Sequence, residues 1–115
     1  MAAQNILIVE DEPLIAMMLE DFLEVLDHTI AGVADSCETA LRAIAGGGVD
    51  AAILDVNLRG GENSTAVAEA LAQRGLPFIF ATGGGDDGVD VRFRDRPRLQ
   101  KPFTMDGVAK ALDEL

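Results

Sequence analysis

The polar residues with the most chemical potential stand at or just past the ends of short runs that read as strands. Glu10, Asp11 and Glu12 follow Ile6-Leu7-Ile8-Val9, and Asp55 follows Ala51-Ala52-Ile53-Leu54. Thr82 follows Pro77-Phe78-Ile79-Phe80-Ala81, and Lys101 comes after Arg98-Leu99-Gln100. If these runs are parallel strands of one sheet, all six side chains project to one edge. Several carboxylates cannot stay ionised together in a cleft without a cation among them, and hard oxygen donors of this kind suit Mg²⁺. A threonine hydroxyl and a mobile lysine charge complete a set that holds a phosphoryl group rather than a planar organic ligand. The chemistry implied is phosphate carried on a carboxylate.

The spacing of apolar residues predicts the elements that must position this set. Ile6 to Val9 reads as a strand, and Pro13 suits the first turn of the helix that follows. Leu14, Ile15, Met18, Leu19, Phe22, Leu23 and Leu26 recur at three and four residues, with Glu20, Asp21, Glu24 and Asp27 facing water. A weaker strand is expected at Thr29 to Val33. Asp35 or Ser36 then caps a helix carrying Ala40, Leu41 and Ile44, stopped by Gly46-Gly47-Gly48. Ala51 to Leu54 is a buried third strand, and a loop with Gly60-Gly61 leads to a helix near Thr65 to Arg74, ended by Gly75. Pro77 to Ala81 is the fourth strand. Gly83, Gly84, Gly85 and Gly88, with Asp86, Asp87 and Asp90 among them, are poor helix formers, so at most one or two turns are expected there. A last strand spans Arg98 to Gln100, and Thr104 caps a closing helix through Leu112. Strands alternating with helices across short loops imply an α/β, doubly wound parallel sheet with ligands beyond the carboxyl ends of its strands.

Composition narrows the setting. The 115 residues hold 20 Asp plus Glu against nine Lys plus Arg, a net charge of −11, and 49% are hydrophobic, enough for one domain across 1–115 with a real core. Such acidity opposes contact with nucleic acid phosphates or anionic lipid. Neither a signal peptide nor a membrane span is legible, and the single Cys37 cannot form an internal disulfide, so a cytoplasmic location is expected. The one reversal of charge, Arg92, Arg94, Arg96, Arg98 and Lys101 against Asp95, reads as a solvated loop and strand edge ahead of a docking patch.

Ile6 to Pro13, Ile53-Leu54-Asp55-Val56-Asn57-Leu58 and Lys101-Pro102-Phe103 together resemble the three motifs of response-regulator receiver domains, across nearly the whole chain. Pro77 to Gly84 also resembles the Phe-Ala-Thr-Gly signature of single-domain receivers from alphaproteobacteria. The resemblance implies a flavodoxin-like (βα)5 fold with a five-stranded sheet in the order 2-1-3-4-5, its fourth helix here short or disordered. It implies that Asp55 accepts a phosphoryl group from a phosphohistidine on a histidine kinase or a histidine phosphotransfer protein. Glu10, Asp11, Asp55 and the main-chain carbonyl of Asn57 would hold Mg²⁺, with Glu12 an exposed flank. Thr82 and Lys101 would bind phosphoryl oxygens, the lysine aimed by a cis Lys101-Pro102 peptide. Such a domain is a phosphoacceptor rather than an enzyme acting on a separate substrate. Because the sequence ends at Leu115, output is expected through contact with a downstream protein or through draining of phosphoryl groups.

Receivers commonly place an aromatic three residues before the lysine, and Arg98 stands there; the narrower group follows its glycines with tyrosine, and Gly85 stands there. The switch is therefore expected to differ, with Gly83 to Gly88 ordering on phosphorylation and Arg92 to Arg98 contacting a partner. Asn57 is expected to orient the attacking water, beside a side-chain-free Gly84, giving a moderate acyl-phosphate lifetime. A haloacid-dehalogenase-type hydrolase would carry its nucleophile after the first strand with a second Asp two positions on, and a flavodoxin would need a hydroxyl- and Gly-rich loop where Glu10-Asp11-Glu12 stands. A receiver that binds partners without phosphorylation is the remaining alternative. His28 reads as a solvated or capping residue and Cys37 as inert. Met17 and Met18 fill or flank the packing face of the first helix, and Phe22, Phe78, Phe80 and Phe103 belong to the core.

Overall fold

Four consecutive apolar residues suit a strand covered on both faces, because successive side chains point to opposite sides. Ile6 to Val9 lie in such a strand, β1 (Asn5–Val9), and all four are essentially inaccessible to solvent. This is a computed structural model, and it describes residues 3–82 and 89–115. The further strands are β2 (Thr29–Ala34), β3 (Ala51–Asp55), β4 (Phe78–Thr82) and β5 (Arg98–Gln100). They form one sheet in the order β2-β1-β3-β4-β5, every pairing parallel. The α-helices among the described residues are α1 (Pro13–Val25), α2 (Cys37–Ala45), α3 (Thr65–Gln73) and α4 (Met105–Asp113).

The sheet divides the apolar interior in two. Ile6, Ile8, Ile53 and Ile79 face Leu19 and Leu23 of α1 and Val108 and Leu112 of α4. Their neighbours Leu7, Val9, Leu54, Phe78 and Phe80 face Ala40 and Ile44 of α2 and Val67 and Leu71 of α3. Phe78 meets Phe80 and Phe93 edge-on, with ring centroids 5.5 and 5.6 Å apart. Local signals set the ends of the helices. Ser36 caps α2 in a reciprocal box with Thr39, and Thr104 caps α4 by accepting the Gly107 N–H. Gly75, at φ 69°, turns the chain out of α3 as only glycine does readily.

Several side chains depart from the periodic reading. Leu14 is 79% exposed and Met17 56%, whereas Ala16, Leu19 and Leu23 form the buried line of α1. Leu14 and Leu23 are half a turn out of phase, so one packing face cannot hold both. Phe22 is half-buried, and Met18 and Leu41 sit at the margin of the core. His28 is buried rather than solvated, its Nδ1 accepting the Gln4 N–H at 3.1 Å. Phe93 joins the core, although nothing in its polar neighbourhood marked it. Between β4 and β5 the described residues contain a 3₁₀ turn, Val91–Phe93, and no α-helix; Gly83 to Gly88, where a switch segment was expected, lie outside the described residues. The arginines that follow are largely engaged within the chain. Arg92 pairs with Asp90 at 3.0 Å and Glu69 at 3.2 Å, and the Arg96 guanidinium lies 4.4 Å from the centre of the Phe78 ring.

Candidate functional site

Parallel strands that start together also end together, and the carboxyl edge of this sheet gathers the polar set. The Glu10 N–H donates to the Ala34 carbonyl at 2.9 Å, which fixes its backbone at the end of β1, and its side chain is buried. Asp55 closes β3 opposite Ala81, so Thr82 lies one residue further along β4 at the same edge, also buried. The Lys101 N–H donates to the Thr82 carbonyl at 2.9 Å, continuing the ladder between β4 and β5 and setting these two residues side by side. The Lys101-Pro102 peptide is cis, as anticipated.

Charges meet here at short range. One carboxylate oxygen each from Glu10, Asp11 and Asp55 lie within 4.8 Å of one another. The Lys101 ammonium donates to Asp55 Oδ2 at 3.1 Å and sits 3.4 Å from Glu10 Oε1. Glu10 Oε2 accepts the Glu12 N–H at 3.2 Å, whereas buried Oε1 has only the ion pair with Lys101 and no hydrogen bond. Burial foremost, and the neighbouring Asp55 charge next, push the Glu10 carboxyl up to about 7 against the opposing pull of the Glu12 N–H and Lys101. Burial works to lower the Lys101 ammonium, but its hydrogen bond to Asp55 and the charges of Asp55 and Glu10 outweigh that and hold it above its usual range.

A buried carboxylate oxygen with only the long Lys101 contact, beside two further carboxylates, calls for more positive charge. The donor set is all oxygen and small in number, which fits Mg²⁺, a cation that accepts one or two carboxylates and keeps waters. Glu12 is exposed and stays at the flank. Asn57 is exposed on the loop after Asp55, bridged to Asn63. Arg98, at the position where an aromatic was noted as absent, extends along the surface and donates to the Arg94 carbonyl at 3.3 Å. Gly84 and Gly85 lie outside the described residues.

The loop that carries Asn57 is held by bonds that its residue types did not suggest. Ser64 looks like an ordinary cap for α3, yet its N–H and hydroxyl both donate to the Val56 carbonyl, at 3.0 and 3.3 Å. The Leu58 N–H donates to the Glu62 carbonyl at 2.8 Å, so the loop is closed on itself like a small hairpin. A serine immediately before a helix was the available signal, and it pointed to a different bond.

A five-stranded parallel sheet of this order, with an acidic triad and a lysine at its carboxyl edge, defines a receiver. The chain belongs to the response regulator receiver domain family, whose pattern matches residues 6–113. Its fold is similar to that of SdrG from Sphingomonas melonis Fr1, at 72% identity and a TM-score of 0.89 over 99% of this chain and 98% of that one. SdrG has also been solved in a BeF3-activated conformation, with 73% identity and a TM-score of 0.84 over the same shares. PhyR of Methylorubrum extorquens is 40% identical over 82 residues, 70% of this chain and 31% of its own length. TcrA of Mycobacterium tuberculosis is 35% identical over 112 residues, 89% of this chain and 42% of its own. The chain thus spans less than half the length of these two relatives. Among the described residues no helix is long and apolar enough to cross a membrane.

Proposed function

We propose that the protein accepts a phosphoryl group on Asp55 from a phosphohistidine of a histidine kinase or histidine phosphotransfer protein, in a reaction that depends on Mg²⁺. The observation that carries this reading is the Lys101 ammonium held 3.1 Å from Asp55 and 3.4 Å from Glu10 at the rim of an acidic triad. Asp55 Oδ attacks phosphorus; the new O–P bond forms as the N–P bond breaks, and the imidazole leaves with that electron pair and takes a proton from solvent. Lys101 then exchanges its contact with Asp55 for one with a phosphoryl oxygen, and the Thr82 hydroxyl donates to another. Glu10, Asp11, Asp55 and the Asn57 carbonyl would hold the cation. Bound there, Mg²⁺ supplies positive charge that offsets the charge gathered on the transferring group. The Asn57 side chain, exposed two residues after Asp55, would orient the water that later hydrolyses the acyl phosphate.

A macromolecular donor is supported by the apolar side chains left at the mouth. Leu14 and Met17 are exposed on α1, and Ile15, Met18, Pro102 and Phe103 line an open cleft beside Lys101. Output through protein contact, or through draining of phosphoryl groups, follows the same reading. SdrG, similar to this chain throughout, has an activated conformation with BeF3, a mimic of a phosphoryl group. The test is intact mass after incubation with a small-molecule phosphodonor, with and without Mg²⁺, on the wild type and Asp55→Ala, repeated with a phosphorylated histidine kinase. A gain of one phosphoryl group that needs both Mg²⁺ and Asp55 is expected. A gain that survives Asp55→Ala, or none from either donor, would overturn the proposal.

A further inference from the structure

The loop between Asp55 and α3 is closed at its base, but its tip is two glycines with little intrinsic rigidity. Gly60 and Gly61 take φ values of 77° and 79°, and glycine loses more conformational freedom on ordering than any other residue. Two contacts from the start of α2 reach across to it. The Cys37 N–H, in the first turn of α2, donates to Glu62 Oε1 at 3.3 Å, and Cys37 Sγ donates to the Asn63 carbonyl at 3.4 Å.

Both contacts have a physical basis. The first amides of a helix lack partners inside it and carry the positive end of its dipole, so the Glu62 carboxylate suits the place. Ser36 already serves the Thr39 N–H, which leaves the Cys37 N–H for Glu62. The thiol is half-buried, and burial together with the Glu62 charge pushes it above its ordinary range. It therefore stays protonated and remains a donor. Asn63 in turn is the bridge partner of Asn57, and its side chain accepts from the Thr65 N–H at 2.8 Å and from the Thr65 hydroxyl.

We propose that Cys37 and Glu62 act as a clasp between α2 and this loop, holding the Asn57–Asn63 bridge in place so that the Asn57 carbonyl is presented to the cation. Cys37 is then a positioning residue, not an inert filler, and the idea rests on the reading of Asp55 as the phosphoacceptor. The clasp joins residues 25 and 26 positions apart, and it would make cation affinity sensitive to a side chain that does not touch the acidic triad.

The experiment compares the full chain with Cys37→Ala, Cys37→Ser and Glu62→Ala. The readouts are amide exchange at Leu58 and Ser64, the Mg²⁺ dissociation constant by calorimetric titration, and the urea midpoint. Cys37→Ala and Glu62→Ala should each speed exchange at Leu58 and Ser64 and weaken Mg²⁺ binding by about threefold to tenfold, the loss expected of one hydrogen bond. Cys37→Ser, whose hydroxyl can donate to the same carbonyl, should recover both. Glu62 is exposed, so that variant keeps the test available if Cys37→Ala folds poorly. Unchanged exchange and affinity in Cys37→Ala and Glu62→Ala, beside a wild type that binds Mg²⁺, would overturn the clasp alone. Equal impairment in Cys37→Ser and Cys37→Ala would also overturn it, since packing and not donation would then be responsible. A wild type that neither binds Mg²⁺ nor takes a phosphoryl group would instead overturn the reading of the site on which the clasp depends.

Discussion

Replacing Glu10 with glutamine should make the metal-free protein more stable while abolishing its response to Mg²⁺. Glu10 is 3% exposed, and its carboxyl is raised from 4.5 to about 7. Each unit of such a shift corresponds to about 1.4 kcal/mol, so holding Glu10 ionised in the metal-free fold costs on the order of 3 kcal/mol more than in the unfolded chain. A raised carboxyl favours the folded state below 4.5, where both forms are protonated, and that advantage drains away as pH climbs to about 7. Glutamine keeps the shape and the acceptor for the Glu12 N–H, without the charge. Relative to wild type, Glu10→Gln should therefore show no gain near pH 4.5, a rising gain through the interval, and a plateau of about 2 to 3 kcal/mol above pH 7. Urea unfolding in a chelator at several pH values measures this directly, and the same titration with Mg²⁺ should stabilise the wild type alone. A gain equal at both ends of the pH range, or a loss at pH 8, would refute the assignment of the strain to a buried charge.

The same electrostatics predicts that Lys101→Met destabilises the metal-free protein by about 2 kcal/mol, because two carboxylates lose their shared cation; Mg²⁺ should restore most of this in urea titrations. Phe78→Ala removes a fully buried ring from contact with Phe80 and Phe93 and should cost about 3 to 5 kcal/mol in the same assay, with little change in Mg²⁺ affinity measured on the folded protein.

The fold was legible because strands buried on both faces leave continuous apolar runs. Ile6 to Val9 and Ala51 to Leu54 could be nothing else at their length, and the residues that end them had to share an edge. That is why Glu10, Asp11, Asp55, Thr82 and Lys101 are recognisable as one group from the sequence. Helix faces were less legible: Leu14 fits a spacing of three and four residues, yet it lies half a turn from Leu23, off the line that α1 buries. The sequence also could not reveal that Glu62 and Asn63 meet Cys37, since a hydrogen bond between distant loops leaves no periodic trace. His28 was misjudged for a similar reason. Its partner is the backbone N–H of Gln4, and backbone donors carry no signature in residue type.

The cluster of Phe78 and Phe80, on β4, with Phe93 bears on how this protein can be watched. With no tyrosine and no tryptophan in the chain, it absorbs almost nothing where protein concentration is ordinarily read, and it offers no bright intrinsic fluorophore. Phe78, Phe80 and Phe93 are instead its internal chromophores, weak but fixed in a chiral environment. With buried Phe103 and half-buried Phe22 they are the chain's five aromatic rings, and its near-ultraviolet dichroism should report mainly on tertiary packing. Phe93, the member contributed by the 3₁₀ turn between β4 and β5, is the natural place for one tryptophan. Its emission would report from the stretch of chain that joins Thr82 to Lys101.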